Sequence, residues 1–364
     1  MIRKGSDSLS GTGRTALLIL AALIMGFILS GCKGEDEEAA ELPEEESLVT
    51  IGFSQIGSES DWRMASTKSV QDAFLAEDGY SLIFNDGQQK QENQIKAIRE
   101  FIDQDVDYIL LDPCVETGWD SALLEAKEAG IPVIVYDREV KVSDESLYTA
   151  WMGSDFYLEG QRACKWLYEY LKRIKHSGEV NIVDIQGTLG SSAQMGRTKA
   201  LEDAVREYPG WNLLDQATGE FTTSKGKEVM EDMLIKHGGN IDIVYCENDN
   251  EAYGAIEAIE NAGYRIGPDI GGYEMLIMSF DSTREGLRLT EEEKIAVNTE
   301  CSPLYGPRLR SMIEALRAGK EVPFKTFIEE GQFSAFTGIR EVSADGTDYA
   351  VTIVNDALIE EREY

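Results

Sequence analysis

The strongest constraint in this sequence is a rhythm that occurs twice, in which short β-branched apolar runs alternate with longer stretches whose apolar residues return at helical spacing. In the first series LVTIGF (48–53) leads to a helix pattern over 62–74, SLIF (81–84) to one over 91–104, and VDYILL (106–111) to one over 118–129, before IPVIVY (131–136) closes it. After a connecting segment near 150–154 the pattern restarts: EVNIVDI, 192–206, WNLLDQ, 225–236, IDIVYC and 251–262, followed by IMSF and IAVNT. Ile95, Ile98 and Ile102 mark one helical face, whereas the strand runs are apolar nearly throughout, as strands covered on both faces are. A βαβ rhythm of this kind predicts an α/β fold with parallel sheets. Two tandem units without a long Gly/Pro/Ser linker predict short structured crossings, and hence a cleft and a hinge.

Charge narrows the partners. With 34 Lys+Arg against 67 Asp+Glu, the 364-residue chain carries a net charge of −33, which opposes nucleic acid as a partner. Two histidines, His176 in IKHSG and His237 in IKHGG, are expected at helix ends, where a cation suits the negative pole. Cys114, Cys164, Cys246 and Cys301 show no CxxC pair or regular spacing, so zinc is not expected and buried thiols are.

The N-terminus reads as an address. Arg3, Lys4 and Arg14 precede an apolar run over 16–29, short for a membrane span and right for the apolar core of an export signal. It closes on Leu29-Ser30-Gly31-Cys32, which resembles the bacterial lipobox and predicts lipidation of Cys32. Residues 1–32 are thus expected to be a signal peptide. Residues 33–47 follow as a stalk, whose run EDEEAAELPEEE holds eight carboxylates and no base. The remaining body is itself strongly acidic, so membrane attachment would rest on the covalent anchor and place the protein outside the cytoplasmic membrane.

In open parallel sheets ligands bind beyond the carboxyl ends of the strands. There the sequence places Gly57-Ser58-Glu59-Ser60-Asp61-Trp62-Arg63, then Asp137-Arg138, Glu247-Asn248-Asp249, Asp281 and Glu300. Carboxylates, arginines, an amide and a tryptophan suit a polyhydroxylated ring: a sugar hydroxyl donates to a carboxylate while accepting from a guanidinium, and an aromatic face covers the ring's C–H side. Individually, Asp137-Arg138 can equally be a surface ion pair and Trp62 a core residue. The recurrence at strand ends of both units favours a site.

The stretches IGFSQIGSES with Trp62-Arg63, DGQQKQENQIKAIREFI, ETGW, EAGIPVIVYDR, IQGTLGSS, GEFTTSKGKEVM and NDNEAYGAIEAIENAG resemble the type I periplasmic sugar-binding proteins of ABC transporters, and among them the galactofuranose binders, from about residue 49 to 319. The resemblance implies two Rossmann-like lobes joined by three crossings, with residues 48–153 plus 301–327 in one and 154–300 plus 328–364 in the other. It implies a monomer that takes no cofactor and holds a monosaccharide between Glu59, Trp62, Arg63, Asp137 and Arg138 of the first lobe and Arg197, Phe221, Asn248, Asp281 and Glu300 around the second. An ABC permease is the implied partner, with presentation of sugar occupancy to a membrane kinase or chemoreceptor as the alternative. Two positions depart from the pattern: Ser282 stands where the family commonly carries Gly, and Asp61 where the galactofuranose binders do. The tail from about residue 333 is longer than the family's ending.

Enzymatic readings are weaker. No GxGxxG or GxxxxGK[ST] occurs, and two helix-end histidines leave no credible Ser/His/Asp set. A glycosidase pair of Asp137 and Glu300 is conceivable, but carboxylates paired with arginine are expected to titrate low and to be poor general acids.

Overall fold

The computed structural model describes residues 47–270 and 274–364. The expected export signal, Cys32 and the acidic run lie outside them. The first unit runs β1 (Val49–Gln55), α1 (Asp61–Ala73), β2 (Tyr80–Asp86), α2 (Gln91–Asp103), β3 (Tyr108–Leu111), α3 (Asp120–Glu128), β4 (Val133–Tyr136) and β5 (Ala150–Gly153). The second runs α4 (Phe156–Ile174), β6 (Val180–Gln186), α5 (Ser192–Glu207), β7 (Trp211–Thr218), α6 (Thr223–His237), β8 (Ile243–Cys246), α7 (Asp249–Asn261), β9 (Arg265–Ile266), β10 (Glu274–Asp281), α8 (Arg284–Glu291) and β11 (Val297–Glu300). The chain then returns through α9 (Gly306–Arg317) and β12 (Lys325–Phe327), and ends with β13 (Gln332–Ser334), β14 (Glu341–Ala344), β15 (Thr347–Ala350), β16 (Thr352–Ile353) and α10 (Asp356–Glu361).

The strands form two main sheets, ordered β12-β5-β4-β3-β1-β2 and β16-β13-β11-β10-β8-β6-β7, with β9 beside β10. Pairing is parallel except where β13 meets β11 and in the β14–β15 hairpin. β12 therefore belongs to the first sheet and β13 to the second. The chain crosses between lobes three times, at 154–155, 301–305 and 328–331. The crossings lie side by side: Ile328 N donates to Gly153 O at 3.0 Å and Glu300 N to Gly331 O at 3.1 Å.

Burial explains the strand composition. β4 and β8 are buried at every position, because helices cover both faces of each sheet. One face of the first sheet packs Phe53, Leu110 and Ile134 against Trp62, Tyr305 and Leu309, and the other packs Ile109 and Val135 against Trp119 and Leu123. In the second sheet Ile182, Tyr245 and Met278 meet Trp166 and Leu167, while Val183, Val244 and Ile277 meet Met230, Ala255 and Ile259.

Three features differ from the sequence expectation. The connecting segment near 150–154 is mostly β5, a buried strand whose run AWMG is too short to show a period. α4, 19 residues long, follows it directly. The tail extends the second sheet, and its hairpin, turning at Asp345-Gly346 with both residues at positive φ, packs Val342 and Val351 beside Trp166. His237 ends α6 with its ring nitrogen 3.2 Å from Asp215, and His176 follows the end of α4. Cys114, Cys164, Cys246 and Cys301 are free and buried. No helix among the described residues is long and apolar enough to cross a membrane.

Candidate ligand-binding site

Strand ends feed helix starts on the facing edges of both sheets. Ser60 caps α1, Ser191 caps α5 and Asn248 caps α7, each side-chain oxygen accepting from the backbone N–H three residues on. Such caps are worth about 0.5–2 kcal/mol each, and they hold the side chains of the following turn in place.

In the first lobe Arg63 is the organiser. Its Nε donates to Glu59 Oε1 at 2.8 Å, its Nη1 to Asp137 Oδ2 at 3.0 Å and also to Asp112 Oδ2, and its guanidinium lies 4.6 Å from the Trp62 ring centre. Burial opposes the Arg63 charge, but Asp112, Glu59 and Asp137 outweigh it and hold the guanidinium firmly protonated. Burial likewise pushes Glu59 up, yet Arg63 and Arg138 together bring it below the usual carboxylate range. Trp62 Nε1 donates to Cys301 O at 2.6 Å, fixing the indole against the second crossing. Arg138 donates through Nη1 to Cys114 O at 3.0 Å.

In the second lobe Arg197, 2% exposed, donates through Nε to Glu159 Oε2 at 2.8 Å and through Nη1 to Glu247 O, between the rings of Phe156 and Phe280. Asp281 Oδ1 lies 3.8 Å from Arg197 Nη2. Asn248 donates through Nδ2 to Phe221 O at 3.2 Å, and Phe221 N donates to Glu251 Oε1 at 2.9 Å.

Glu59, Trp62, Arg63, Asp137, Arg138, Arg197, Phe221, Asn248 and Asp281 line one narrow cleft, joined by Ser60, Phe156, Ala193 and Cys301. The lobes meet around it: Asp61 N donates to Asn250 Oδ1 at 3.1 Å, Glu139 N to Ser192 Oγ at 2.9 Å and Glu116 N to Gly190 O at 3.0 Å, while the Arg138 guanidinium lies 5.1 Å from the Phe221 ring centre. Three lining residues hold left-handed backbone, Asp137 at φ 59°, Phe221 at 61° and Asp281 at 95°. Non-glycine residues persist in this region where the surroundings over-determine them, often at functional sites. Ser282 takes φ 54°, which is why a glycine suits that position; here its N–H and hydroxyl both donate to Asn298 Oδ1, at 2.9 and 3.1 Å. Asp61, at the other departure, is exposed and supplies the interlobe N–H.

Glu300 is a correction. Its Oε2 accepts from Gly331 N at 2.6 Å, and its Oε1 from Tyr364 Oη at 2.9 Å and from Arg362 Nη1. The tail occupies this carboxylate, and the next residue, Cys301, lines the cleft instead. The glycosidase pair of Asp137 and Glu300 is therefore not assembled. The expectation that arginine-paired carboxylates titrate low also fails for Asp281, which burial pushes well above the usual range despite Arg197. Sequence reasoning missed Asp112, although it immediately follows β3 and the strand-end rule applied there would have found it. It missed Glu159 because that residue follows no strand.

The sheet topology, the three crossings and the shared cleft define a binding protein of two hinged lobes. The chain belongs to the periplasmic binding protein family: the model described as periplasmic binding protein domain matches residues 51–300. It is a binding protein rather than an enzyme. It is 44% identical to the galactofuranose-binding protein YtfQ of Escherichia coli over 224 residues, 61% of this chain and 69% of that protein. Among solved structures, a Mycobacterium smegmatis protein in complex with β-D-fucofuranose is 39% identical with a TM-score of 0.73, covering 79% of this chain and 91% of that one. The periplasmic component of the arabinose ABC transporter of Shewanella sp. ANA-3, bound to α- and β-L-arabinofuranose, is 38% identical with a TM-score of 0.72, over 78% and 91%.

Proposed function

We propose that the protein captures a monosaccharide in furanose form, galactofuranose or a close relative, between its lobes and delivers it to an ABC importer. In this reading Cys32 carries the lipid that holds the monomer at the outer face of the cytoplasmic membrane, residues 33–47 are the spacer, and the lobes divide at 153/154, 300/301 and 327/328. The observation that carries the proposal is a pair of enclosed atoms on cleft residues that no group among the described residues satisfies, Glu59 Oε2 and Arg138 Nε. One is an acceptor and the other a donor, as a sugar hydroxyl requires, and buried polar groups are rarely left without a partner. Asp137, Asp281 and Asn248 add further polar partners, and Trp62 and Phe221 supply apolar cover. Bound sugar touches both lobes only when they are closed, so it shifts the population toward that form. The sugars named for the related proteins point to the same ring form.

The test is a thermal-shift and calorimetry panel of pentoses and hexoses, including galactose, arabinose, fucose, ribose and fructose. Saturable stabilisation by sugars that populate the five-membered ring is expected. Absence of a shift across the panel, or preference for a sugar locked as a pyranoside, would overturn the proposal.

A further inference from the structure

All three crossings converge on one side chain. Glu330, in the third, accepts at Oε1 from Ser154 Oγ of the first at 2.7 Å and from Ser302 N of the second at 2.7 Å. The residue is half-buried, but its carboxyl turns inward toward Glu159, whose Oε1 has no hydrogen-bond partner among the described residues. The Glu159 and Glu330 oxygens and the Cys301 sulfur lie within 4.8 Å of one another. Glu159 in turn holds Arg197, which lines the cleft, at 2.8 Å. A chain of neighbouring groups therefore joins the hinge to a cleft arginine through two adjacent carboxyl groups.

Among the described residues no guanidinium hydrogen-bonds the Glu330 carboxyl, although Arg162 lies near enough to feel its charge. Arg162 donates through Nη1 to the Glu330 main-chain oxygen at 3.1 Å and lies over the Tyr349 ring, while Arg197 is engaged by Glu159, the Glu247 carbonyl and Asp281. The donors to the Glu330 carboxyl are the neutral Ser154 hydroxyl and the Ser302 backbone N–H. The other titratable groups facing this pair are Cys301 and Tyr305 from the second crossing, Tyr364 and Glu300 from the tail contact, and Asp281 from β10. Apart from Arg162, Arg197 and Arg362, the last of which pairs with Glu300, these are neutral or acidic. Two neighbouring buried carboxylates cannot both ionise cheaply, and burial followed by the proximity of Glu159 pushes Glu330 well above the usual range.

We propose that Glu330 is a proton-dependent positioning residue of the hinge: as a neutral carboxyl it donates to Glu159, clamps the three crossings together and keeps Arg197 oriented, and as a carboxylate it repels Glu159 and loosens the closed form. The cleft part of this rests on the sugar-capture reading above; the hinge part does not. A neutral acid with a raised titration point is fully favourable below its unfolded value and loses that advantage as pH rises through the folded value, so closure weakens toward alkaline pH.

Glu330→Gln keeps the size and a donor without the proton equilibrium. Calorimetric titration with the sugar chosen by the panel, from pH 5 to pH 9, is expected to show the wild-type Kd rising by about tenfold or more, the scale set by one linked proton over a pH unit, and the variant staying within about twofold. The same pH profile in both proteins would overturn the proposal, whereas a merely structural role would weaken Glu330→Gln equally at all pH values. Denaturant unfolding without sugar provides a separate reading, with wild type losing stability relative to Glu330→Gln as pH rises. If no sugar binds even at pH 5, the functional reading fails while this comparison still judges the hinge proton. Should the variant not fold, wild-type binding at alkaline pH in two buffers of different ionisation enthalpy is expected to reveal proton uptake, and zero uptake would refute the idea.

Discussion

Replacing Arg138 with alanine removes a side chain that reaches the cleft without holding the first lobe together. In the folded protein the guanidinium gives one hydrogen bond to Cys114 O and faces the Phe221 ring, while its Nε has no partner among the described residues. Its charge favours Glu59 and Asp112, but both keep Arg63 at hydrogen-bond distance. Arg138→Ala should therefore fold, with only a modest loss of stability in the absence of sugar. Binding should suffer far more, because a hydrogen bond to a charged group is worth about 1.5–3 kcal/mol, or about 10- to 150-fold in Kd at 1.4 kcal/mol per decade. The consequence in a melting assay is sharp. A sugar present at about 100 times Kd stabilises wild type by about 2.7 kcal/mol, whereas a variant bound about 100-fold more weakly gains only about 0.4 kcal/mol at the same concentration. Calorimetry supplies Kd and thermal denaturation supplies the shift. A Kd within about threefold of wild type together with an unchanged shift would refute the assignment of Arg138 to the site.

Two further outcomes are expected. Asp184 on β6 accepts from Gln216 Nε2 at 3.0 Å, its Oδ1 has no partner, and burial lifts its carboxyl to about 7 against that hydrogen bond. A raised acid contributes fully below its unfolded value and loses the contribution as pH rises to the folded one, up to about 4 kcal/mol across about three units; Asp184→Asn should flatten this decline in urea unfolding at pH 5 and pH 8, and parallel pH profiles would count against it. Cys32→Ser should release the protein from membranes into the soluble fraction of fractionated cells, and continued membrane association would remove the lipid anchor.

Period carried most of the fold. The buried strands β1, β3, β4 and β8 were visible as apolar runs, and α5 to α7 as amphipathic stretches, because each satisfies its own repeat locally. β5 and the tail strands were not, since they lie outside any longer apolar run such as VDYILL, IPVIVY or IDIVYC and their place depends on sheets built elsewhere in the chain. The cleft was legible for a related reason: parallel sheets present their strand ends at one edge, so Glu59, Asp137, Asn248 and Asp281 could be placed by position alone. Glu300 obeys the same rule and still faces the tail, because Arg362 and Tyr364, more than sixty residues later, offer its carboxylate better partners. Glu330 had no signal at all. Its importance arises from three crossings meeting in space, and nothing in its immediate neighbours in sequence announces that.

The four sheltered thiols open a practical use. Burial pushes Cys114, Cys164, Cys246 and Cys301 upward in titration, so little thiolate exists to react with maleimides or oxidants. Among the described residues no native thiol would compete with one engineered at Met64 or Leu189, which stand 53% and 56% exposed on opposite lobes. Dyes attached at those two sites would translate the motion of one lobe against the other into light, making this scaffold a ready reporter of carbohydrate concentration without rebuilding its interior.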